Sequence, residues 1–168
     1  MSGEPDPMLE RVLSAWRAHQ RIQMALIEAI PDEGFAALPT GSRGRTVGAQ
    51  LAHCQKARLG WLLYQATGGR PVKGDRIEAP RPTRAALRKA FESSGRTIEK
   101  LLRDALVGRA RIRMFDRNPV QWMGYLISHE SHHRGQILLA LKQNGLRLPD
   151  RIAINELWGG WWRAGPKG

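Results

Sequence analysis

Four stretches of this chain each open on a residue that caps a helix, and each carries apolar residues three and four apart. In the first, Asp6 caps and Pro7 takes the first helical position; Leu9, Val12, Leu13, Trp16, Gln23, Leu26, Ile27 and Ile30 then share one face until Pro31 stops the run. The second follows the loop "PTGSRGR": Thr46 caps, Val47 begins the helix, and Gly68-Gly69 closes it after Thr67. Thr83 caps the third, which runs to about Val107 through Leu87, Phe91, Ile98, Leu101 and Leu102. Asn118 and Pro119 start the fourth, which ends at Gly145. Amphipathic helices of this length bury their stripes against one another, so the pattern predicts an all-α fold, a four-helix bundle.

Between helices two and three lies "GGRPVKGDRIEAPRPT", which has three prolines and no period. It predicts a long crossover loop within one domain spanning residues 1–168. A chain of this size buries roughly 70% of its unfolded surface and needs no staples. The segment "RARIRMF" alternates weakly and reads as a short strand or an irregular connection.

Composition removes several function classes. Cys54 is the only cysteine, so neither an internal disulfide nor a thiolate metal cage can form. No run approaches the 18 apolar residues of a membrane span, and "MSGEPDPMLE" lacks the basic and then apolar order of a secretory signal. The expectation is a cytoplasmic protein that does not enter membranes. The net charge of +12 comes from 27 Lys and Arg against 15 Asp and Glu, concentrated in residues 70–117. There the arginines are irregularly spaced with only Phe91 and Phe115 among them, so the stretch reads as a solvated basic face, with no specific nucleic-acid partner.

Helix four carries "HESHHRGQ". At 100° per residue, His129 and His133 fall on the inward stripe with Trp122, Leu126, Ile137 and Ala140, while Glu130 sits at its shoulder. Residues four apart on a helix stand roughly 5–6 Å apart at Cβ, close enough to share one ion. His53, two turns into helix two, lies in line with Ala57, Gly60 and Tyr64, so space remains beside its ring. Burying three imidazoles without partners is costly. One divalent metal ion held by His53, His129 and His133 offsets all three costs, with zinc first and nickel next. Glu130 reads as a base, as an acceptor for a ligand N–H, or as the partner of an arginine. His132 faces another surface, His19 reads as core or interface, and Cys54 as a small core residue. Arg134 reads as a bundle ion-pair partner or a substrate anchor, and Gln136 as a hydrogen-bonding or pocket-shaping residue.

His129 to His133 also spell H-E-x-x-H, and Asn155-Glu156 follows where some zinc proteases place a glutamate ligand. A protease needs an edge strand to hold a peptide, which only "RARIRMF" could offer, and it would leave His53 without a purpose. The protease is therefore the remote alternative.

The inward histidine of "TVGAQLAHCQKARLGWLL", the signature "GYLISHESHHRGQILLALKQNG" and the tail "NELWGGWW" together resemble the DinB/YfiT-like family across nearly the whole chain. That resemblance implies a four-helix bundle with a long connection between helices two and three, commonly a homodimer. It also implies a divalent metal on a histidine triad, with His53 matching the helix-two ligand and His129 and His133 matching the H-x-x-x-H-R-G-Q pattern. Some relatives are thiol-dependent transferases or isomerases and others are described as metal-dependent hydrolases. Three neutral ring nitrogens leave a position open for water or substrate, as in catalytic zinc sites. The expected function is a metal-dependent enzyme, a hydrolase or thiol-dependent S-transferase. Its partner is a small-molecule substrate, with a low-molecular-weight thiol in the second case. The alternative is a bundle that binds metal or a small ligand without turnover. Trp158, Trp161 and Trp162 read as a cover for the open end of the bundle near the metal, a dimer contact, or a core cap.

Overall fold

The structure, a computed structural model, describes residues 6–69 and 82–162. Its helices are α1 (Pro7–Ala29), α2 (Val47–Thr67), α3 (Arg84–Leu106), α4 (Pro119–Gln143) and a short π-wound α5 (Arg151–Trp158). No strand occurs among the described residues. All four expected caps are made: Asp6 accepts from the Met8 N–H, Thr46 from Ala49, Thr83 from Ala86, and Asn118 from Val120 and Gln121. Each satisfies amide groups that have no partner within the helix. Gly68 ends α2 at φ 68°, a left-handed backbone that glycine adopts without Cβ strain.

Side-chain pairings fix the topology. On α1 and α3, Arg103 bonds Glu10, Trp16 Nε1 donates to the Gly95 carbonyl, and Arg84 reaches the Ile30 carbonyl, so these helices are antiparallel. The two approach closely at Gly95, where any Cβ would lie 2.5 Å from the Gln20 side chain. α2 and α4 are also antiparallel, with His53 beside His129 and Trp61 beside Tyr125. By contrast Gly48 packs on Pro82, and Ser94 on α3 donates to Gln55, so α2 and α3 run the same way. Thr67 and Arg84 therefore lie at opposite ends of a bundle about 30 Å long, 21 residues at about 1.5 Å each. Of the expected crossover, residues 68–83, residues 70–81 lie outside the described residues.

Two apolar clusters fill the interior. One holds Leu13, Trp16, Ile98, Leu102, Trp122 and Leu126; the other holds Ile22, Leu26, Leu51, Phe91, Ile137 and Leu141. Between them lies a buried polar layer built from His19, Gln23, Gln55, Arg58, Ser94 and Glu130.

Residues 107–118 resolve the two readings of "RARIRMF" in favour of an irregular connection. Ile112 is buried in the core, and Phe115, Asp116 and Arg117 then form a tight turn at φ 49°, 50° and 62°. Beyond α4 the sequence pattern suggested only a turn and a tail, yet α5 and the following Gly159–Trp161 turn pack along α1. Leu157 is buried, and the half-buried Trp161 ring lies 6.1 Å from that of His19. Trp158 and Trp162 are 62% and 66% exposed, so only Trp161 caps the core. No helix among the described residues is long and apolar enough to cross a membrane.

Candidate metal centre

The three histidines expected as ligands come together. A nitrogen from each of His53, His129 and His133 lies within 4.8 Å of the others, and no further His, Cys, Asp or Glu among the described residues joins the group. The antiparallel packing of α2 on α4 does this, because it sets the inward face of α2 across from two successive turns of α4. The Nε2 atoms of His53 and His129 are 3.3 Å apart. Two imidazoles bound to one tetrahedral zinc at about 2.0–2.1 Å hold their nitrogens about 3.3–3.4 Å apart, so this pair already has the spacing.

Electrostatics keep these rings neutral, the form that binds metal. Burial pushes all three below the usual histidine range. Arg45, His129 and Lys56 add to the effect at His53, and His132 adds to it at His129, where Glu130 opposes it. His133 is held down to about 4, by burial first and then by its histidine neighbours. Its Nδ1 lies 3.1 Å from Gln136 Oε1 and 3.4 Å from Gln50 Oε1. Donation to these amide oxygens puts the proton on Nδ1 and leaves the Nε2 lone pair for an ion. Gln136 also bonds the exposed His132 through its Nε2, so it orients two rings at once.

Glu130, expected as base, ligand-N–H acceptor or arginine partner, takes the third role, but inside the bundle. It is 1% exposed and accepts from both Nε and Nη2 of the equally buried Arg58, from His19 Nε2 and from Gln23 Nε2. Burial alone would raise its pKa, but the charge of Arg58 and the bonds from His19 hold it below the usual carboxylate range. Both oxygens thus face the polar layer, away from the triad. The features of an H-E-x-x-H protease are not assembled: Glu156 pairs with Arg151 on α5, and no edge strand flanks α4 among the described residues. Arg134 donates to Ser131. Cys54 is buried, and burial pushes its thiol up, out of nucleophilic range.

Sequence reasoning missed Gln50 and Arg58. Arg58 falls in register with Leu51, Cys54, Gln55, Leu62 and Gln65 on α2, and an arginine at a position of that face was the signal available for the buried pair. A separate cavity of about 1020 Å³ lies between α2, α3 and residues 110–117, with Leu62, Leu101 and Ile112 in its wall; no histidine or cysteine lines it.

A helical bundle in which two facing helices bring three imidazoles together is a scaffold able to hold a metal ion in its side. The DinB family model matches residues 5–162, and the chain belongs to the DinB family. No curated protein matches the chain.

Proposed function

We propose that this DinB-family protein binds one divalent metal ion per chain through His53, His129 and His133, zinc before nickel, and uses it as a metal-dependent enzyme on a small molecule. The observation that carries the reading is the 3.3 Å spacing of the His53 and His129 nitrogens, with His133 oriented beside them by Gln136 and Gln50. Three neutral donors with no fourth protein ligand among the described residues make the kind of set that catalytic sites use. Bound there, the ion supplies Lewis acidity, which polarises an acyl oxygen or makes a thiol acidic.

The chain's own groups serve this chemistry in distinct ways. Gln136 and Gln50 fix the tautomer of His133. Arg45 and Lys56 place positive charge near His53 and favour an anionic substrate. Glu130 acts by tying α4 to Arg58 on α2, since its oxygens are occupied and not aimed at the triad. These features support metal-dependent chemistry of a hydrolase or a thiol-dependent S-transferase; a cytoplasmic location and the lack of a sequence-specific nucleic-acid partner are part of the same proposal and rest on the sequence alone. Pairing of two copies is part of the proposal, and the exposed Trp158 and Trp162 rings are the large apolar groups it would cover.

Elemental analysis of purified protein tests the core of this proposal. About one zinc or nickel per chain is expected, lost on replacing any of the three histidines by Ala; retention of full metal in His53→Ala would overturn it. Assays of small electrophiles with added thiols, beside esters and amides, then separate transferase from hydrolase. Silence in both would leave a binding protein.

A further inference from the structure

The two helices that carry the triad also carry matching glycine-aromatic pairs beside it. Gly60-Trp61 lies two turns beyond His53 on α2, and Gly124-Tyr125 lies one turn before His129 on α4. Both glycines are exposed, and beyond their own helix and chain neighbours no atom lies within 4 Å of where a Cβ would stand, so no other part of the chain covers either position. The Tyr125 ring is 6.1 Å from that of His129 with their planes only 20° apart, and it remains 39% exposed. Trp61 meets Tyr125 at 5.4 Å, and Phe115 closes the group at 4.9 Å from Trp61 and 5.4 Å from Tyr125.

These rings form a continuous aromatic surface that ends on a member of the triad. Phe115 is delivered by a left-handed backbone at φ 49°, a conformation unfavourable for an L side chain. Phe115 and Trp61 are each only partly buried against the core cluster of Ile112 and Trp122, so both rings keep a face outside it. The triad end is electropositive. Three neutral imidazoles leave an ion's charge uncompensated, Arg45 and Lys56 add to it, and Glu130, the carboxylate that acts on His129, is paired with Arg58. Ligand sites combine such an apolar wall with a few polar anchors.

We propose that Trp61, Phe115 and Tyr125 form a subsite for a flat aromatic arm of the substrate, whose anionic head is taken by the metal. The inference rests on the metal-site reading above and adds the class of molecule: a small aromatic anion. The arm lies against the exposed face of Tyr125.

The test compares benzohydroxamate with acetohydroxamate, two metal-binding anions that differ in the aromatic arm, by calorimetric titration of zinc-loaded protein whose zinc content is measured separately. Benzohydroxamate should bind at least about tenfold tighter, an advantage of about 1.4 kcal/mol. Tyr125→Ala should remove most of that advantage at unchanged zinc content, and Tyr125→Phe should keep it. Protein that holds zinc but binds the two probes equally, or whose preference survives Tyr125→Ala, overturns the subsite and leaves the metal reading standing. Protein that takes up no zinc overturns both.

Discussion

Arg58 and Glu130, 72 positions apart, meet as a two-pronged ion pair at the centre of the bundle, with Nη2 2.8 Å from Oε2 and both side chains out of reach of solvent. The pair spans α2 and α4, and its members stand five residues after His53 and between His129 and His133. Whatever fixes this pair fixes the register of the two helices that carry the triad.

Removing one charge of this pair should be severe. Arg58→Met leaves a buried carboxylate with only His19 and Gln23, and a loss of about 3–5 kcal/mol is expected in urea unfolding. Arg58→Met with Glu130→Leu should recover much of it, because no unpaired charge then remains. A double variant as unstable as the single one would show that the pair contributes something other than mutual neutralisation.

Gln136→Ala should weaken zinc binding about 10–100-fold while leaving thermal stability of the metal-free protein nearly unchanged, since Gln136 is exposed and acts through His133. Competition with a fluorescent chelator measures the first quantity and calorimetry the second. Gln50, the other oxygen facing His133 Nδ1, gives the remaining polar contact and explains why loss of affinity should be partial.

Metal-free protein should lose stability as pH falls from about 6.5 towards 4. The ordinary histidine pKa is 6.5, while folding lowers those of His53, His129 and His133, the last to about 4. Below 6.5 the unfolded chain therefore binds protons that the folded chain does not. Stability due to these groups is complete above that range. Glu130 has the opposite chemistry but the same direction: its lowered pKa stabilises the fold at neutral pH, and that contribution disappears only further down, below 4.5. Melting temperatures across pH 4 to 8 check this; a flat profile between 6.5 and 4 would contradict it.

Chelation should leave helicity largely intact. The apolar clusters at both ends and the four capped helices form without the ion, so circular dichroism at 222 nm is expected to change little when metal is withdrawn. Collapse of the signal would mark the ion as structural.

For the proposed pairing of two copies, Trp158→Ser is expected to halve the mass seen by light scattering at micromolar concentration without lowering helicity. Trp158 is exposed and its loss opens no cavity.

Helix existence was legible because caps and apolar stripes are local: Asp6, Thr46, Thr83 and Asn118 each lie at the boundary they implied. The triad was legible for the same reason, since four-residue spacing puts His129 and His133 on one face without reference to the rest of the fold. The partner of Glu130 was not. Its choice between the triad and Arg58 turns on a rotation of about 100° about α4, and on which helix packs against each side. The turn at Phe115 was hidden because Met114, Asp116 and Arg117 carry none of the glycines that normally announce a positive φ. α5 was hidden by its wide winding, which blurs the 3.6-residue period.

The parallel course of α2 and α3 has a consequence for how the chain reaches its final form. The pairings that join α1 to α3 and α2 to α4 skip a helix each time, so Trp16 must find Gly95, and His53 must find His129, across 79 and 76 residues. Helical proteins usually fold fast because their contacts are local, whereas this one must close long loops before its main seams form. The histidine triad is assembled only once α4 has docked on α2. On the metal reading proposed above, uptake of an ion in a refolding experiment is expected to time the docking of α4 on α2.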